Sequence, residues 1–142
     1  MVADTQTPSG RLNVELRTPE GSVFSGEVVK VSEVPGTKAP LGILPRHAPL
    51  VSSLSVGVTV LVDSAGTECR FVTGEGFLEI NDNHVLILVD TAEDVTEIDM
   101  ARADLAHQRA RDRLAKVHPD LDRTRAKAAL VRARLRISVG KR

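Results

Sequence analysis

The chain has 142 residues, with 19 basic against 19 acidic side chains, three Phe and neither Trp nor Tyr. Balanced charge and scarce aromatics leave neither a cationic footprint nor stacking platforms for nucleic acid. The lone Cys69 can form no internal disulfide, which excludes a stapled secreted scaffold.

Residues 1–10 form a polar start without a signal-peptide core or an Arg-rich transit pattern, and no apolar run nears the roughly 20 residues of a membrane-crossing helix. The expectation is a cytosolic or peripheral protein whose membrane link runs through partners. From Leu12 the chain alternates: Leu12, Val14 and Leu16 sit between polar neighbours, the pattern of a half-buried strand. Pro19-Glu20-Gly21 turns the chain into Val23-Phe24, and a second apolar run spans Val28 to Val34 before Pro35-Gly36. Val56 to Val62 is β-branched and ends at Asp63-Ser64-Ala65-Gly66, a hairpin turn. Arg70–Thr73 and Phe77–Ile80 follow, and Asn81-Asp82-Asn83 leads into His84–Val89. With no helical pattern between these runs, residues 11–92 read as an all-β antiparallel sandwich or barrel. Cys69, just ahead of a predicted strand, reads as a small core residue.

Near residue 93 the composition shifts to Ala, Arg, Leu and Asp, so 93–142 forms a second region. Thr96-Glu97-Ile98-Asp99 suggests a capping box with Thr96 as N-cap, opening a helix to about Val117. His118-Pro119-Asp120 interrupts it, and Asp120 is placed to cap a second helix to about Val139. The predicted tail is therefore an antiparallel α-hairpin. On a helical wheel, Ala103, Ala106, Ala110, Leu114 and Val117 form one apolar face of the first helix, and Ile98, Ala101 and Leu105 a shorter one. The second helix has Leu121, Ala128, Val131 and Leu135 on one face and Ala126, Leu130, Ala133 and Ile137 on another. Between the faces run two arginine stripes with the same seven-then-four spacing: Arg102, Arg109, Arg113 and Arg125, Arg132, Arg136. Two readings stay open. The stripes are solvated or snorkelling edges of a packed hairpin, or they meet phosphates or carboxylates in one of two alternative packings.

Val23-Phe24-Ser25-Gly26, the run Leu41 to Leu50 and the tail belong to an ordered set of local motifs spanning residues 12–137 that resembles the epsilon subunit of bacterial F-type, proton-translocating ATP synthases. The first is similar to that family's F-S-G strand entry and the second to its G-x-L-P-x-H-A-P-L loop. Gly74-Glu75-Gly76-Phe77-Leu78-Glu79-Ile80 is similar to its G-G-x-L-E-V stretch, and Asp90-Thr91-Ala92 to its D-T-A segment. Arg46 stands where Gly or Asn is common, Glu75 replaces a usual Gly, and the Pro35–Pro40 turn is longer than the family's.

The resemblance implies a sandwich of about ten strands that binds the gamma subunit and the c-ring. It implies a hairpin that folds against the sandwich or extends along gamma toward the alpha/beta catalytic hexamer, where it inhibits ATP hydrolysis. It implies a contact loop at Leu44, Pro45, Arg46, His47, Ala48 and Pro49, and a peripheral location on the cytoplasmic face of the bacterial inner membrane. Ile98-Asp99-Met100-Ala101-Arg102-Ala103 matches the family's I/L-D-x-x-R-A nucleotide motif, and Arg132 to Arg136 resembles its R-A-x-x-R run. By that match Ile98, Asp99, Arg102, Ala103, Arg132 and Arg136 contact ATP as a regulatory ligand, and Arg109, Arg113 and Arg125 belong to the inhibitory stripe.

No cofactor is required and no P-loop is present. His47 has no recognisable catalytic partner, and His84, His107 and His118 lack metal-ligand spacing with one another or with Cys69. No residue is assigned to catalysis. The alternative reading is a stand-alone β-sandwich that senses ATP through its hairpin, and the two differ in whether the chain co-purifies with gamma.

Overall fold

The computed structural model describes residues 10–116 and 122–140. Ten strands build two five-stranded sheets: β1 (Leu12–Thr18), β2 (Gly21–Val28), β3 (Lys30–Val34), β4 (Leu41–Ile43), β5 (Leu50–Leu54), β6 (Gly57–Val62), β7 (Glu68–Thr73), β8 (Gly76–Asn81), β9 (His84–Val89) and β10 (Ala92–Asp94). One sheet runs β2-β1-β9-β8-β5 and the other β10-β7-β6-β3-β4. Two helices follow, α1 (Met100–Ala115) and α2 (Arg123–Gly140). By internal packing the chain divides into two compact units between Ala92 and Glu93.

The alternation read in β1 sets the first sheet. Leu12, Val14 and Leu16 are all fully buried while their polar neighbours face out. They join Leu78 and Ile80 of β8, Val85 and Ile87 of β9, and Val31, Ile43, Leu61 and Phe71 of the second sheet in one aliphatic core. Phe24 and Phe71 meet edge to face with centroids 6.3 Å apart, one from each sheet, a preferred aromatic geometry.

Three expectations change. The run Val28–Val34 is not one strand, because the chain leaves β2 after Val28 and joins the other sheet as β3 at Lys30. Cys69 lies within β7 rather than before it, half-buried against the core. The sheets are not wholly antiparallel: β1 and β9 pair in parallel, from Asn13 opposite His84 to Arg17 opposite Leu88. A parallel pair needs a long connection, and here strands β2 to β8 supply it in place of a crossover helix.

The turns follow local chemistry. Asp63 Oδ1 accepts from the backbone N–H of Ala65 and Thr67, both at 2.9 Å, and closes the β6–β7 hairpin as an Asx turn. Asp82 and Asn83 both have positive φ, 48° and 61°, in the two-residue β8–β9 turn. This is the type I′ arrangement, whose twist suits a hairpin.

Thr59 and Thr73 are fully buried, and their hydroxyls share a hydrogen bond of 3.0 Å between β6 and β7. Thr59→Val strands the Thr73 hydroxyl and is expected to cost about 1–3 kcal/mol, whereas Thr59→Val with Thr73→Val together is expected to be nearly neutral. Urea unfolding with an unchanged slope checks both.

Candidate functional site

In the second unit, Asp94 comes first. Its Oδ1 accepts from Thr96 N at 2.9 Å and from Thr96 Oγ1 at 2.7 Å, capping a single 3-10 turn over Val95–Glu97. Thr96 is therefore not the N-cap of α1. Its hydroxyl is spent on Asp94, and Ile98 is extended, so the α-helix begins only after Asp99. Asp99, itself extended at φ −80°, accepts from Arg102 N at 3.1 Å and is the true N-cap. α1 ends at Ala115, two residues short of the predicted Val117, which lies with His118, Pro119, Asp120 and Leu121 outside the described residues. The start of α2 is held by Asp122, whose Oδ1 accepts from Arg125 N at 3.0 Å. Arg123 donates to the Leu114 carbonyl at 3.4 Å, supplying a cation to the end of α1.

Of the predicted helix faces, Ala103 and Ala110 of α1 and Ala126 and Ala133 of α2 are buried, with Ala106, Leu114, Leu130 and Ile137 half-buried beside them. The other faces leave Leu105 and Val131 exposed. Small residues at the seam let the helices approach closely, and each alanine buries little more than a methyl group.

At the open end of the hairpin lies a shallow cleft of about 370 Å³. Four of the six predicted nucleotide residues line it: Asp99, Arg102, Ala103 and Arg136. Arg109 of the predicted inhibitory stripe joins them. Ile98 and Arg132 do not line it, and Ile98 lies instead where a Cβ added at Gly140 would touch it. Arg113 and Arg125 are exposed near the other end of the hairpin. Two acidic residues absent from the sequence-based set, Glu93 and Glu97, also face the cleft. Arg136 Nε donates to Glu93 Oε2 at 2.8 Å. Three carboxylates thus stand among three guanidiniums. Among the described residues, no group of three or more His, Cys, Asp or Glu side chains could hold a metal.

In the first unit, residues 44–49 form an irregular connection between β4 and β5. His47 N bonds the Leu44 carbonyl at 3.2 Å across Pro45-Arg46, and Arg46 has φ 68°. Proline followed by positive φ defines a type II turn, in which the third position favours Gly or Asn. The Arg46 departure therefore falls where an L side chain is disfavoured. The His47 ring Nδ1 lies 2.7 Å from the Ala48 carbonyl, while Leu44, Arg46, Ala48 and Pro49 are exposed. The loop is tethered by Asn83, which the sequence reading used only as a turn residue. Its Oδ1 accepts from Arg46 N at 2.6 Å and its carbonyl from Asn13 N at 2.8 Å.

The Glu75 departure has a steric explanation. A Cβ at Gly76 would collide with the Leu88 carbonyl of β9, so that glycine is required by the close approach of two backbones. Glu75 beside it is exposed and tolerates a side chain.

The beta-sandwich domain of the ATP synthase delta/epsilon chain matches residues 11–95, and the long alpha-helix domain of the same chain matches residues 96–141. Fold and motifs thus define a two-domain delta/epsilon chain. Similar curated proteins include the ATP synthase epsilon chain of Moorella thermoacetica, 44% identical over 126 residues, covering 89% of this chain and 93% of that one. The epsilon chain of Pelotomaculum thermopropionicum is 47% identical over 103 residues, covering 72% of this chain and 75% of its own. The chain belongs to the ATP synthase epsilon chain family. Among solved structures, a chain of the Euglena gracilis mitochondrial ATP synthase, in an assembly of OSCP, F1 and c-ring, shares the fold. Its TM-score is 0.69 at 20% identity, with 99% of this chain and 83% of that one covered.

Asp99 carries two assignments, helix cap and nucleotide contact, and substitution separates them. Asp99→Ala is expected to lower hairpin stability by about 1 kcal/mol, while Asp99→Asn, which still caps, leaves it nearly unchanged. Far-UV circular dichroism on thermal unfolding reads the difference.

Proposed function

We propose that the chain is a non-catalytic subunit of the central stalk of an F-type ATP synthase. Its sandwich links gamma to the c-ring and so couples proton translocation to ATP synthesis. The hairpin regulates ATP hydrolysis by exchanging its folded packing for contacts along gamma toward the alpha/beta hexamer. Attachment to the cytoplasmic face of the bacterial inner membrane is indirect, through the c-ring. Among the described residues no helix is long and apolar enough to cross a membrane.

The observation that carries this reading is the outer face of the β2-β1-β9-β8-β5 sheet. Phe77 of β8 stands directly opposite Leu88 of β9, and the two are 62% and 45% exposed. Leu86 adjoins them on β9, and Val51 of β5, 72% exposed, faces Glu79 of β8 one position along. An apolar stripe on a charged sheet is the mark of a protein partner. It suits a permanent subunit contact such as gamma. The exposed tip of the 44–49 loop, held by Asn83, offers a separate contact suited to the c-ring.

ATP as a regulatory ligand is supported by the cleft, where Asp99, Arg102, Arg109 and Arg136 from both helices face one space. A nucleotide bound there favours the folded hairpin by its differential affinity for that state, and guanidinium forks suit phosphate oxygens.

Two measurements test these assignments. Phe77→Asp is expected to weaken gamma binding by at least about 30-fold, as loss of an interface anchor worth 2 kcal/mol or more does. Retained co-purification with gamma at wild-type yield would remove the stripe from the interface, and a wild-type chain that stays monomeric beside gamma would favour the stand-alone sensor. Arg102→Ala is expected to weaken ATP binding by about tenfold, in line with a lost charged hydrogen bond. Calorimetry on the full chain at millimolar ATP, with and without magnesium, measures it.

A further inference from the structure

The ion pairs among the described residues differ in reach. Arg17–Glu15 and Arg70–Glu68 each join side chains two residues apart on one strand, so they add nothing to tertiary structure. Arg136–Glu93 spans 43 residues at 2.8 Å, and its side chains are only 30% and 34% exposed. It connects Glu93 of β10, the strand ahead of α1, to the final turns of α2. Next to it the helices meet without an intervening side chain: a Cβ at Gly140 would collide with Met100 Sδ, and Ile98 Cγ2 lies 3.7 Å away. Gly140 is the last residue of α2, where glycine is common, and the contact leaves no room for a larger side chain there.

We propose that the Glu93–Arg136 pair and the Gly140–Met100 contact form a clasp at the open end of the hairpin, holding α1 and α2 together without any bound ligand. The inference rests on the reading that the hairpin has a folded and an extended state. The alanine seam is short of buried area, so a bond that closes the long chain segment has a large relative effect on the equilibrium. Only interactions that differ between the states can shift it, and the clasp exists only when α2 lies against α1. The carboxylate of Glu93 also gives Arg136 an internal counter-charge. An anionic ligand entering the cleft therefore competes with Glu93 for that guanidinium, and the ligand-free hairpin already has a partner for it.

Amide hydrogen exchange on the full chain tests the clasp, using Glu93→Ala, Arg136→Met (which keeps the apolar stem), their combination, and Gly140→Val. Each single change at the ion pair is expected to speed exchange in α1 and α2 by about three- to tenfold, the range of a partly exposed charged hydrogen bond. Strands β1, β8 and β9 should keep their wild-type rates. The combined variant should exceed neither single by more than about twofold, because one bond has been lost. Gly140→Val should accelerate helix exchange independently, by wedging the seam. Helix exchange within twofold of wild type in the single variants, or a combined effect equal to their product, overturns the clasp.

ATP hydrolysis by the assembled complex separates this result from the regulatory reading. If exchange rises as expected while hydrolysis is unaltered, the clasp stands and the inhibitory role of the hairpin fails. If exchange does not rise, the clasp fails whatever hydrolysis does.

Discussion

The parallel pairing of β1 with β9 is the constraint on which the first unit depends. β1 places three fully buried side chains, Leu12, Val14 and Leu16, between β2 and β9. Its second partner arrives only after the chain has passed through seven more strands. Until that return is made, the inward row of β1 has no neighbour on one side. Once made, it seats the β8–β9 hairpin in the sheet, and the two-residue turn of that hairpin sets the register that puts Phe77 opposite Leu88 on the outer face. It also brings the β8–β9 turn beside the start of β1, where Asn83 can bond Asn13 and hold the 44–49 loop. One long-range pairing therefore positions the core, the apolar stripe and the loop.

The hairpin is built on a different energetic scale. The sandwich buries Leu, Ile, Val and Phe side chains, each worth roughly 1.5–3 kcal/mol on full burial. The fully buried residues of the helices are four alanines and Val139. Its polar fastenings are correspondingly specific: Asp99 and Asp122 begin the helices, Arg123 closes the end of α1, and Arg136 reaches back to Glu93. A core held by large aliphatic groups resists rearrangement. A seam of small residues with a few charged bonds can be exchanged for another surface at modest cost, as the proposed regulatory role of the hairpin requires.

The departures from the family motifs become intelligible at the level of backbone geometry. Glu75 is exposed, whereas its neighbour Gly76 faces the β9 backbone and has no room for a Cβ. The glycine that matters sterically is the one retained. Arg46 is the opposite case, an L residue at the positive-φ position of a type II turn. Its backbone N–H bond to Asn83 is part of what holds the turn there.

Local periodicity, read from the sequence alone, determined which residues face inward in β1, that the first region is all-β, that the tail is a two-helix hairpin, and which two apolar faces each helix carries; which of those faces forms the seam was left to the packing. The properties set by periodicity depend on neighbours within a turn or a strand, where one side chain's placement dictates the next. The family motifs, being ordered along nearly the whole chain, were legible in the same way. The short β4, β5 and β10 carried too few residues for a period to show. The shift of the α1 N-cap from Thr96 to Asp99 turned on which carboxylate captured the Thr96 hydroxyl. The β1–β9 pairing, the anchoring of the 44–49 loop by Asn83, and the meeting of Glu93 with Arg136 were decided only by tertiary structure. Each joins groups tens of residues apart, and no local pattern encodes a contact whose partner is selected by the packing of everything between.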